Sequence, residues 1–342
     1  MTADEIRQLA AHCGFELAGV ARAVPLDDHD RFQEWLAAGH AGEMRYLTDH
    51  RAAIRADPHH LLPSAHSVIC VGRLYNTPWP HSNRFDDAER AWISRYAWGE
   101  DYHPVLRRDL ARLEAMLHER CGPFEARICV DTAPLLERSY ARQAGLGWIG
   151  KNTCLINQPR GSWFFLGELL ISLEIEPDAP PPDRCGTCTR CIDACPTAAL
   201  VPAPDGYTLD SRRCISYLTI ELRGPIPEER RDGSGAHIFG CDICQDVCPW
   251  NRRAPATAAP EFQPHRFAPP LEELAALSEP EFRTMFSGTA VTRARYRGFL
   301  RNVAIAMGNS RLERFREPLE RLAASDDEII REHARWALDQ LR

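Results

Sequence analysis

The chain almost lacks lysine. Of 41 lysine and arginine residues in 342, Lys151 is the single lysine, so arginine serves nearly everywhere that a cation is needed. A guanidinium is a planar fork of donors, whereas an ammonium is a compact point charge on a flexible stem. The lone lysine therefore indicates a position that needs a compact cation, with chance retention as the alternative.

The chain also lacks a long apolar run. A membrane-spanning helix needs about 18 or more such residues, and the best candidate, Trp163–Ile175, is interrupted by Glu168. Met1–Ala10 is acidic and has no features of a secretory signal. We therefore expect a cytoplasmic protein with reduced thiols and no membrane partner.

Positive charge is scarce overall, since the formal net charge is -7, yet it is concentrated in one place. Between Val291 and Arg316 the only acid is Glu313, and the stretch, here called the arginine stripe, has seven arginines, at 293, 295, 297, 301, 311, 314 and 316. Such a stripe can bind phosphates within an acidic protein. The alternative is an ordinary solvated helix face.

Eight cysteines stand in two runs and one isolated position. The runs are Cys185-x2-Cys188-x2-Cys191-x3-Cys195-Pro196 and Cys241-x2-Cys244-x3-Cys248-Pro249. In the bacterial ferredoxin pattern, the cysteine before the proline ligates the other cluster. The second run lacks its first cysteine, because Ile238 stands there, and Cys214 is the nearby replacement. The pattern predicts two [4Fe–4S] clusters, one on Cys185, Cys188, Cys191 and Cys248, the other on Cys195, Cys214, Cys241 and Cys244.

Zinc is the alternative occupant, since Cys-x2-Cys loops also bind zinc. Two runs in the same rhythm that each end in Cys-Pro are far more specific than a lone Cys-x2-Cys. The spacing therefore favours iron–sulfur clusters over zinc, and the expected reduced compartment disfavours a disulfide framework.

Proline- and alanine-rich stretches at 177–183 and 254–270 divide the chain into parts. The predicted class is α+β, with an α/β sheet domain at 1–176, a ferredoxin-like 2[4Fe–4S] domain at 177–252, a linker at 253–269 and a helical, HEAT-like region at 270–342. Apolar periodicity predicts helices at 4–13, 106–121, 135–144, 271–277, 296–307, 315–324 and 328–341, and strands at 67–71, 126–130 and 153–157.

The string Gly145-x-Gly147-x-x-Gly150 matches the dinucleotide-binding fingerprint, and with Lys151 it also resembles a phosphate-binding loop. A helical pattern precedes it and a strand-like run follows, which is the reverse of the order that points N–H groups at phosphates. We therefore expect these glycines to let the backbone approach a large, flat cofactor instead.

Asp131 follows the strand-like run Ile128–Val130 and precedes a helical pattern. An aspartate before a helix is commonly an N-cap. The carboxyl end of a strand in an α/β sheet is also a common ligand crevice, which suits a catalytic acid. An aspartate with a pKa of about 3.9 is a poor proton donor at neutral pH, so the second role requires a site that raises the pKa.

Several segments closely resemble the epoxyqueuosine reductase family. They are RYAWGEDYH at 95–103, VDTAPLLER at 130–138, GLGWIGK at 145–151, FFLGELL at 164–170 and RCISYLTIEL at 213–222. The resemblance covers nearly the whole chain and includes the missing first cysteine of the second run and its replacement by Cys214.

The resemblance implies a cobalamin-dependent iron–sulfur enzyme that reduces epoxyqueuosine to queuosine at the wobble position of tRNA and releases the oxygen as water. An external low-potential donor would supply electrons through the clusters to base-off cobalamin, and the enzyme would be a monomer. Asp131 would donate the proton, with His103 and Arg138 lining the cavity. The residues implied to contact the corrin are Arg55, Ser94, Asp131, Lys151, Asn152, Leu155, Leu166 and Leu169. We expect Arg293, Arg297 and Arg301 to contact tRNA.

Cobalamin depends on the resemblance alone. The corrinoid signature Asp-x-His-x-x-Gly is missing, because Phe32 occupies the glycine position after Asp27 and His29. A cobalt without a protein histidine ligand fits this difference. Two other functions remain open, an electron carrier with a docking module and a dehalogenase-like enzyme for a small organic substrate. Dependence on the arginine stripe would distinguish a tRNA enzyme from both.

Overall fold

The structure, a computed structural model, describes residues 1–341, and the chain forms two units that each draw on three separate segments. Unit 1 comprises residues 1–77, 102–189 and 248–259. Unit 2 comprises residues 78–101 and 190–247 and the chain from 260 onward. Each unit therefore includes parts of more than one of the predicted linear domains.

Unit 1 is built on a four-stranded sheet. Its strands are β1 (Leu17–Arg22), β2 (Ser67–Leu74), β4 (Ala126–Cys129) and β7 (Phe164–Ile171), in the order β1-β2-β7-β4. Every ladder in it is antiparallel. The two central strands, β2 and β7, are buried along almost their whole length, which explains their nearly continuous apolar sequences. A separate hairpin pairs β5 (Trp148–Ile149) with β6 (Leu155–Ile156).

Helices cover both faces of this sheet. Those that pack on it are α1 (Ala3–His12), α5 (Tyr102–Cys121) and α6 (Glu137–Gln143). Unit 1 also contains α2 (Asp28–Ala37), α3 (Arg45–Thr48) and α4 (Arg51–Ile54). A Cβ on Gly167 of β7 would meet Leu110 of α5 at 3.0 Å, so α5 lies on that face. The opposite face, which carries Cys70 and Cys129, packs on Tyr140 of α6.

Unit 2 is mainly helical. Its strands are β3 (Trp92–Ile93), β8 (Leu200–Ala203), β9 (Gly206–Leu209) and β10 (His237–Phe239). Its helices are α7 (Arg190–Asp193), α8 (Ile215–Ile220), α9 (Glu228–Arg231), α10 (Ile243–Asp246), α11 (Leu271–Ala275), α12 (Glu279–Met285), α13 (Arg295–Ser310), α14 (Arg316–Ala323) and α15 (Glu328–Gln340). β3 pairs with β10 in parallel, and β8 and β9 form a hairpin.

Helix α13 is the centre of unit 2, since its residues from Gly298 to Gly308 are all buried. It packs on α15, and the side chain of Asn302 donates hydrogen bonds to the carbonyl groups of Thr219 and Ile238, each at 2.8 Å. These bonds join α13 to α8 and to strand β10. The predicted ferredoxin-like and helical parts therefore share one core here.

The α+β class agrees with the antiparallel sheet and the separate helical unit. The predicted helices and the strands at 67–71 and 126–130 are present, whereas 153–157 forms only the short β6. Residues 260–269 of the predicted linker belong to unit 2, where Phe262 and Ala268 are buried, so this part is packed structure. HEAT-like repeats stay a prediction. No helix within residues 1–341 is long and apolar enough to cross a membrane.

Candidate active site and iron–sulfur ligands

Asp131 lies in a turn between β4 and α6 of unit 1. Its backbone is left-handed, with φ of 47°, a conformation that non-glycine residues adopt rarely. Helix α6 begins only at Glu137, so Asp131 is not its N-cap, and that alternative is wrong. The sheet beside it is antiparallel, so the crevice rule for parallel sheets does not apply either. The side chain of Asp131 is 49% exposed and can reach a ligand.

His103 stands next to Asp131, with its Nε2 atom 3.1 Å from Oδ2 of the aspartate. It occupies the first turn of α5. The ring of Tyr102 stacks on His103 with centroids 4.2 Å apart, and on Phe165 of β7 with centroids 4.4 Å apart. This aromatic stack connects the central strand to the histidine and fixes its position. Tyr102 and Phe165 lie within two of the five family-like segments, but apolar periodicity alone gives no reason to select them.

Two acids lie beneath Asp131. The carboxylate of Glu137 accepts the backbone N–H of Asp131. Burial and the charge of Asp131 raise the pKa of Glu137 to about 8. Glu168, in the centre of β7, is completely buried, and burial together with Glu137 raises its pKa well above the usual range. In the sequence Glu168 interrupts an apolar run, and a lone acid inside a buried strand is a usable signal of such a site.

Arg138 bonds to the loop that follows β5. Arg138 is exposed, and its Nη1 donates to the carbonyl oxygen of Thr153. Asn152 is buried, and its Oδ1 accepts the N–H of Cys154 at 3.2 Å. A Cβ on Gly147 would collide with the carbonyl oxygen of Ile156. The glycine at 147 is therefore required by the β5–β6 hairpin, and this backbone approach is to protein rather than to a cofactor.

Lys151 bonds to the first cysteine loop. Its Nζ donates to the carbonyl oxygens of Gly186, at 2.7 Å, and Cys188, at 3.0 Å. Two carbonyl acceptors in a tight loop suit a compact ammonium with several donors. The single lysine therefore stabilises the Cys185-x2-Cys188 loop of unit 1.

The other residues implied to contact the corrin lie in different surroundings. In unit 1, Arg55 is 8% exposed and donates to the carbonyl oxygen of Tyr46 at 3.2 Å. Leu166 is partly buried. Leu155 and Leu169 are only 4% and 0% exposed over the whole residue, so Leu169 offers no accessible atom to a ligand, which contradicts its predicted corrin contact. Ser94 belongs to unit 2, where it is buried.

Three of the predicted cluster ligands, Cys185, Cys188 and Cys248, belong to unit 1. Cys185 and Cys248 pack in one apolar group with Trp148, Ile156 and Trp250. Burial raises the pKa of Cys248, and the nearby thiols of Cys185 and Cys154 raise it further. The structure thus brings Cys185 and Cys248 together. Cys154 is an additional nearby thiol that the cysteine spacing did not indicate.

The other five, Cys191, Cys195, Cys214, Cys241 and Cys244, belong to unit 2. No three His, Cys, Asp or Glu side chains within residues 1–341 stand close enough to hold a single metal ion. Burial raises the pKa of Cys241 well above its usual range, and the nearby thiols of Cys214 and Cys195 raise it further. Cys214 and Cys195 are therefore both near Cys241, and the assignment of these cysteines to one cluster stays a prediction.

Asp242 anchors the second cysteine loop. Its carboxylate accepts hydrogen bonds from the hydroxyl of Ser94, the indole N–H of Trp92 at 3.3 Å and the backbone N–H of Arg95 at 2.8 Å. Since Asp242 directly follows Cys241, these bonds hold the loop on strand β3. Ser94 therefore supports a cysteine loop within unit 2.

The arginine stripe is not uniform. Arg301 is 0% exposed and donates to the carbonyl oxygens of Leu218 and Gly224, both at 2.6 Å, so its predicted tRNA contact is wrong. Four others form ion pairs: Arg293 with Glu221, Arg297 with Asp327, Arg314 with Glu89 and Glu272, and Arg316 with Glu313. Arg295 and Arg311 are exposed and form no ion pair with any residue in 1–341. Most of the stripe's charge is therefore balanced locally.

Comparison with known proteins gives one consistent family. A model described as "4Fe-4S double cluster binding domain" matches residues 184–251, and one described as "Epoxyqueuosine reductase QueG" matches residues 55–132. The epoxyqueuosine reductase of Xanthomonas campestris pv. campestris is 42% identical over 99% of this chain and 96% of the relative. That of Escherichia coli K12 is 39% identical over 99% of this chain and 89% of the relative.

Solved structures agree with these relatives. An epoxyqueuosine reductase crystallised with a tRNA-Tyr epoxyqueuosine-modified stem loop superposes with a TM-score of 0.90, at 31% identity, over 98% of this chain and 89% of the other. The Bacillus subtilis epoxyqueuosine reductase, whose catalytic aspartate loop is swung out of the active site, has a TM-score of 0.77 at 28% identity, over 99% and 98% of the two chains.

Proposed function

We propose that this chain reduces epoxyqueuosine to queuosine at the wobble position of tRNA, because it belongs to the epoxyqueuosine reductase family. The members of this family are oxidoreductases of queuosine biosynthesis. The observation that carries this proposal is Asp131, half-exposed and paired with His103, within a family match over 99% of the chain. An electron carrier or a small-substrate enzyme would not account for that match.

The reaction requires two electrons and two protons. The epoxide accepts the two electrons and the two protons, its oxygen leaves as water, and a carbon–carbon double bond remains. Asp131 is the proposed donor to the opening epoxide oxygen, since its carboxyl group is accessible and stands 3.1 Å from Nε2 of His103. A positioned acid contributes on the order of 10²–10⁴-fold to such a step. His103 restricts the rotamers of Asp131 and can share its proton.

The residues present suit two [4Fe–4S] clusters, which would supply low-potential electron transfer when bound. We assign Cys185, Cys188, Cys191 and Cys248 to one, and Cys195, Cys214, Cys241 and Cys244 to the other. Two observations support this division of the cysteines between the clusters. Cys185 and Cys248 pack in one apolar group, and Cys214 and Cys195 lie near Cys241. In ferredoxins of this pattern, thiolates and backbone N–H groups surround each cluster. Here Lys151 and Asp242 hold the two Cys-x2-Cys loops in shape.

Base-off cobalamin is the proposed second cofactor, and it would supply the two-electron chemistry at the epoxide. Nε2 of His103 is already engaged with Asp131, which supports a corrinoid that would be held by contacts other than this histidine. Arg138, Asn152 and Leu155 are the proposed contacts. The roles left to the chain are to hold the ring, orient the epoxide and move protons.

The tRNA partner is proposed from the relative crystallised with a modified stem loop. Within the arginine stripe, Arg295 and Arg311 are the proposed phosphate contacts, because each is exposed and has no ion pair in residues 1–341. Arg293 and Arg297 would first have to exchange a carboxylate for a phosphate. We further propose a cytoplasmic monomer served by an external low-potential electron donor.

The Asp131 segment is the proposed counterpart of the catalytic aspartate loop that is swung out in the Bacillus subtilis enzyme. A non-glycine residue in a left-handed conformation stores about 1–3 kcal/mol. That strain is offset here by the bonds from Asp131 to Glu137 and His103. Loss of these bonds would favour a swung-out segment.

The test is Asp131→Asn, which keeps the side chain's shape and removes its acidic proton. We expect normal binding of an epoxyqueuosine-containing stem loop and normal iron content, with turnover reduced on the order of 10²-fold or more. The control is Asp30→Asn on the exposed side of α2, which should retain full turnover. Full activity in Asp131→Asn would reject Asp131 as the proton donor, and no queuosine from the unaltered protein would reject the function.

A further inference from the structure

Glu168 occupies an unusual position for an acid. It is 0% exposed in the middle of β7, and the register places it directly between Cys70 of β2 and Cys129 of β4. Within residues 1–341, neither carboxyl oxygen accepts a hydrogen bond from a basic side chain or a backbone N–H. An ionised carboxylate buried without a counter-charge costs several kcal/mol. Glu168 is therefore a neutral acid at physiological pH.

Glu137 connects this buried acid to Asp131. It lies in the first turn of α6, which packs on the same sheet face as Glu168, and the two carboxyl groups interact. The carboxyl group of Glu137 also accepts the backbone N–H of Asp131. Acidic groups thus extend from the sheet interior at Glu168, through Glu137, to the accessible Asp131.

The surroundings favour a proton on this pair. Burial and the charge of Asp131 raise the pKa of Glu137 to about 8, while Arg138 opposes that rise. Arg55 is the other cation facing Glu137. The groups facing Glu168 from the neighbouring strands are the thiols of Cys70 and Cys129, and burial raises the pKa of Cys129 to about 12. Both thiols are therefore neutral, and the cation of β4 on this sheet face is Arg127, which lies opposite Leu170 and is exposed to solvent.

The proposed reduction consumes two protons, whereas Asp131 can hold only one at a time. We propose that Glu137 and Glu168 form a proton store that recharges Asp131 within a single turnover, and that Glu137 also positions Asp131 through its backbone N–H. This inference rests on the proposed function. The two electrons come from the external low-potential donor, and the first proton passes from Asp131 to the epoxide oxygen as the carbon–oxygen bond opens. Glu137 then returns a proton to Asp131, which protonates the departing hydroxyl group as water, and solvent refills the pair.

The informative change is Glu137→Gln, because the amide oxygen can still accept the N–H of Asp131 but the side chain has no acidic proton. Glu168→Gln is the second variant and tests the buried end of the pair. Glu16→Gln is the matched control: Glu16 is also partly buried in unit 1, accepts the N–H of Leu74 at 2.9 Å, and has a pKa raised by burial. It lies outside the Asp131 site.

The first measurement needs no substrate. Infrared spectra of the anaerobically purified protein should show the carbonyl stretch of protonated carboxyl groups at pH 7, weakened in Glu137→Gln and in Glu168→Gln. Burial raises the pKa of Asp246 to about 7, so this residue can contribute a band of its own. Subtracting the spectrum of each variant from that of the unaltered protein separates the bands of Glu137 and Glu168 from it. In the unaltered protein, the Glu137 component should disappear as the pH rises through about 8. Identical spectra for all proteins at pH 7 would overturn the proposal, whether or not the enzyme reduces epoxyqueuosine.

The second measurement is single-turnover reduction of an epoxyqueuosine stem loop. The unaltered rate should fall as the pH rises through about 8, where Glu137 loses its proton. Glu137→Gln should be slower at pH 7 by about 10-fold, less than the usual 10²–10⁴-fold because solvent partly replaces the store. It should also lack the decline near pH 8, whereas Glu16→Gln keeps both rate and profile. A pH profile in Glu137→Gln that matches the unaltered protein would reject the proton store and leave Glu137 a structural role.

Discussion

Arg301 offers a sharp test of the structural interpretation, because sequence reasoning assigned it to tRNA and the structure buries it. Its guanidinium donates to the carbonyl oxygens of Leu222 at 2.9 Å and of Gly224 and Leu218 at 2.6 Å. It also bonds twice to Oδ1 of Asn302, each at 3.0 Å. Arg301→Ala would remove the donor from all of these oxygens at once.

The expected cost follows from those bonds. A buried acceptor left without its donor costs about 1–3 kcal/mol, and removing one partner from a buried charged network typically costs about 3–5 kcal/mol. We therefore expect Arg301→Ala to lower the free energy of unfolding of unit 2 by about 3–5 kcal/mol. At about 2–4 °C per kcal/mol for domains of roughly 150–250 residues, the melting temperature should fall by about 6–20 °C.

The matched control is Arg297→Ala, one helical turn earlier on α13, where the exposed guanidinium pairs with Asp327 at 2.6 Å. An exposed ion pair contributes about 0–1 kcal/mol, so its melting temperature should hardly change. Both variants are compared by thermal melting under anaerobic conditions, and stem-loop affinity is then measured well below both melting temperatures. Equal melting temperatures, with weaker stem-loop binding in Arg301→Ala alone, would refute the structural role and restore the tRNA contact.

Two further predictions concern the cofactor and the nucleic acid. Cys214→Ser should lower the iron content from about eight to about four per chain and remove the spectrum of one cluster; an unchanged iron count would reject Cys214 as a ligand. Arg295→Ala and Arg311→Ala should each weaken stem-loop binding and flatten the slope of log affinity against log salt by about 0.7–0.9 for each phosphate no longer neutralised. The control is Arg316→Ala, because the guanidinium of Arg316 is already paired with Glu313. Equal salt slopes in the three variants would show that the arginine stripe is an ordinary solvated helix face.

Local sequence patterns predicted the parts of this chain that depend on short-range chemistry. The apolar period identified α5 and the strand Ser67–Leu74, because amphipathic helices and buried strands each require their own spacing of apolar residues. The interval between cysteines in each run is likewise a local quantity, since a Cys-x2-Cys loop sets where its thiols point. Cys214 is near Cys241, and its role as the replacement ligand stays a prediction.

Sequence reasoning failed where a residue's role depends on distant neighbours. Arg301 and Arg297 are chemically identical and lie one helical turn apart, yet one faces the carbonyl groups around α8 and the other faces solvent. Spacing along α13 could not distinguish them, because the direction of the buried face is set by which helices pack on it. Lys151 was identified as unusual, but its acceptors, the carbonyl groups of Gly186 and Cys188, come from a loop far along the chain.

The family, the cysteine runs and the position of Asp131 were all present in the sequence by itself. Tertiary structure alone decided what surrounds Asp131: a left-handed turn, His103 positioned by an aromatic stack, and the acids Glu137 and Glu168 beneath it. Glu168 becomes a neutral acid because β7 is one of the two inner strands, with Cys70 of β2 and Cys129 of β4 on either side. Burial determines protonation, and burial is a property of the assembled sheet rather than of any local segment.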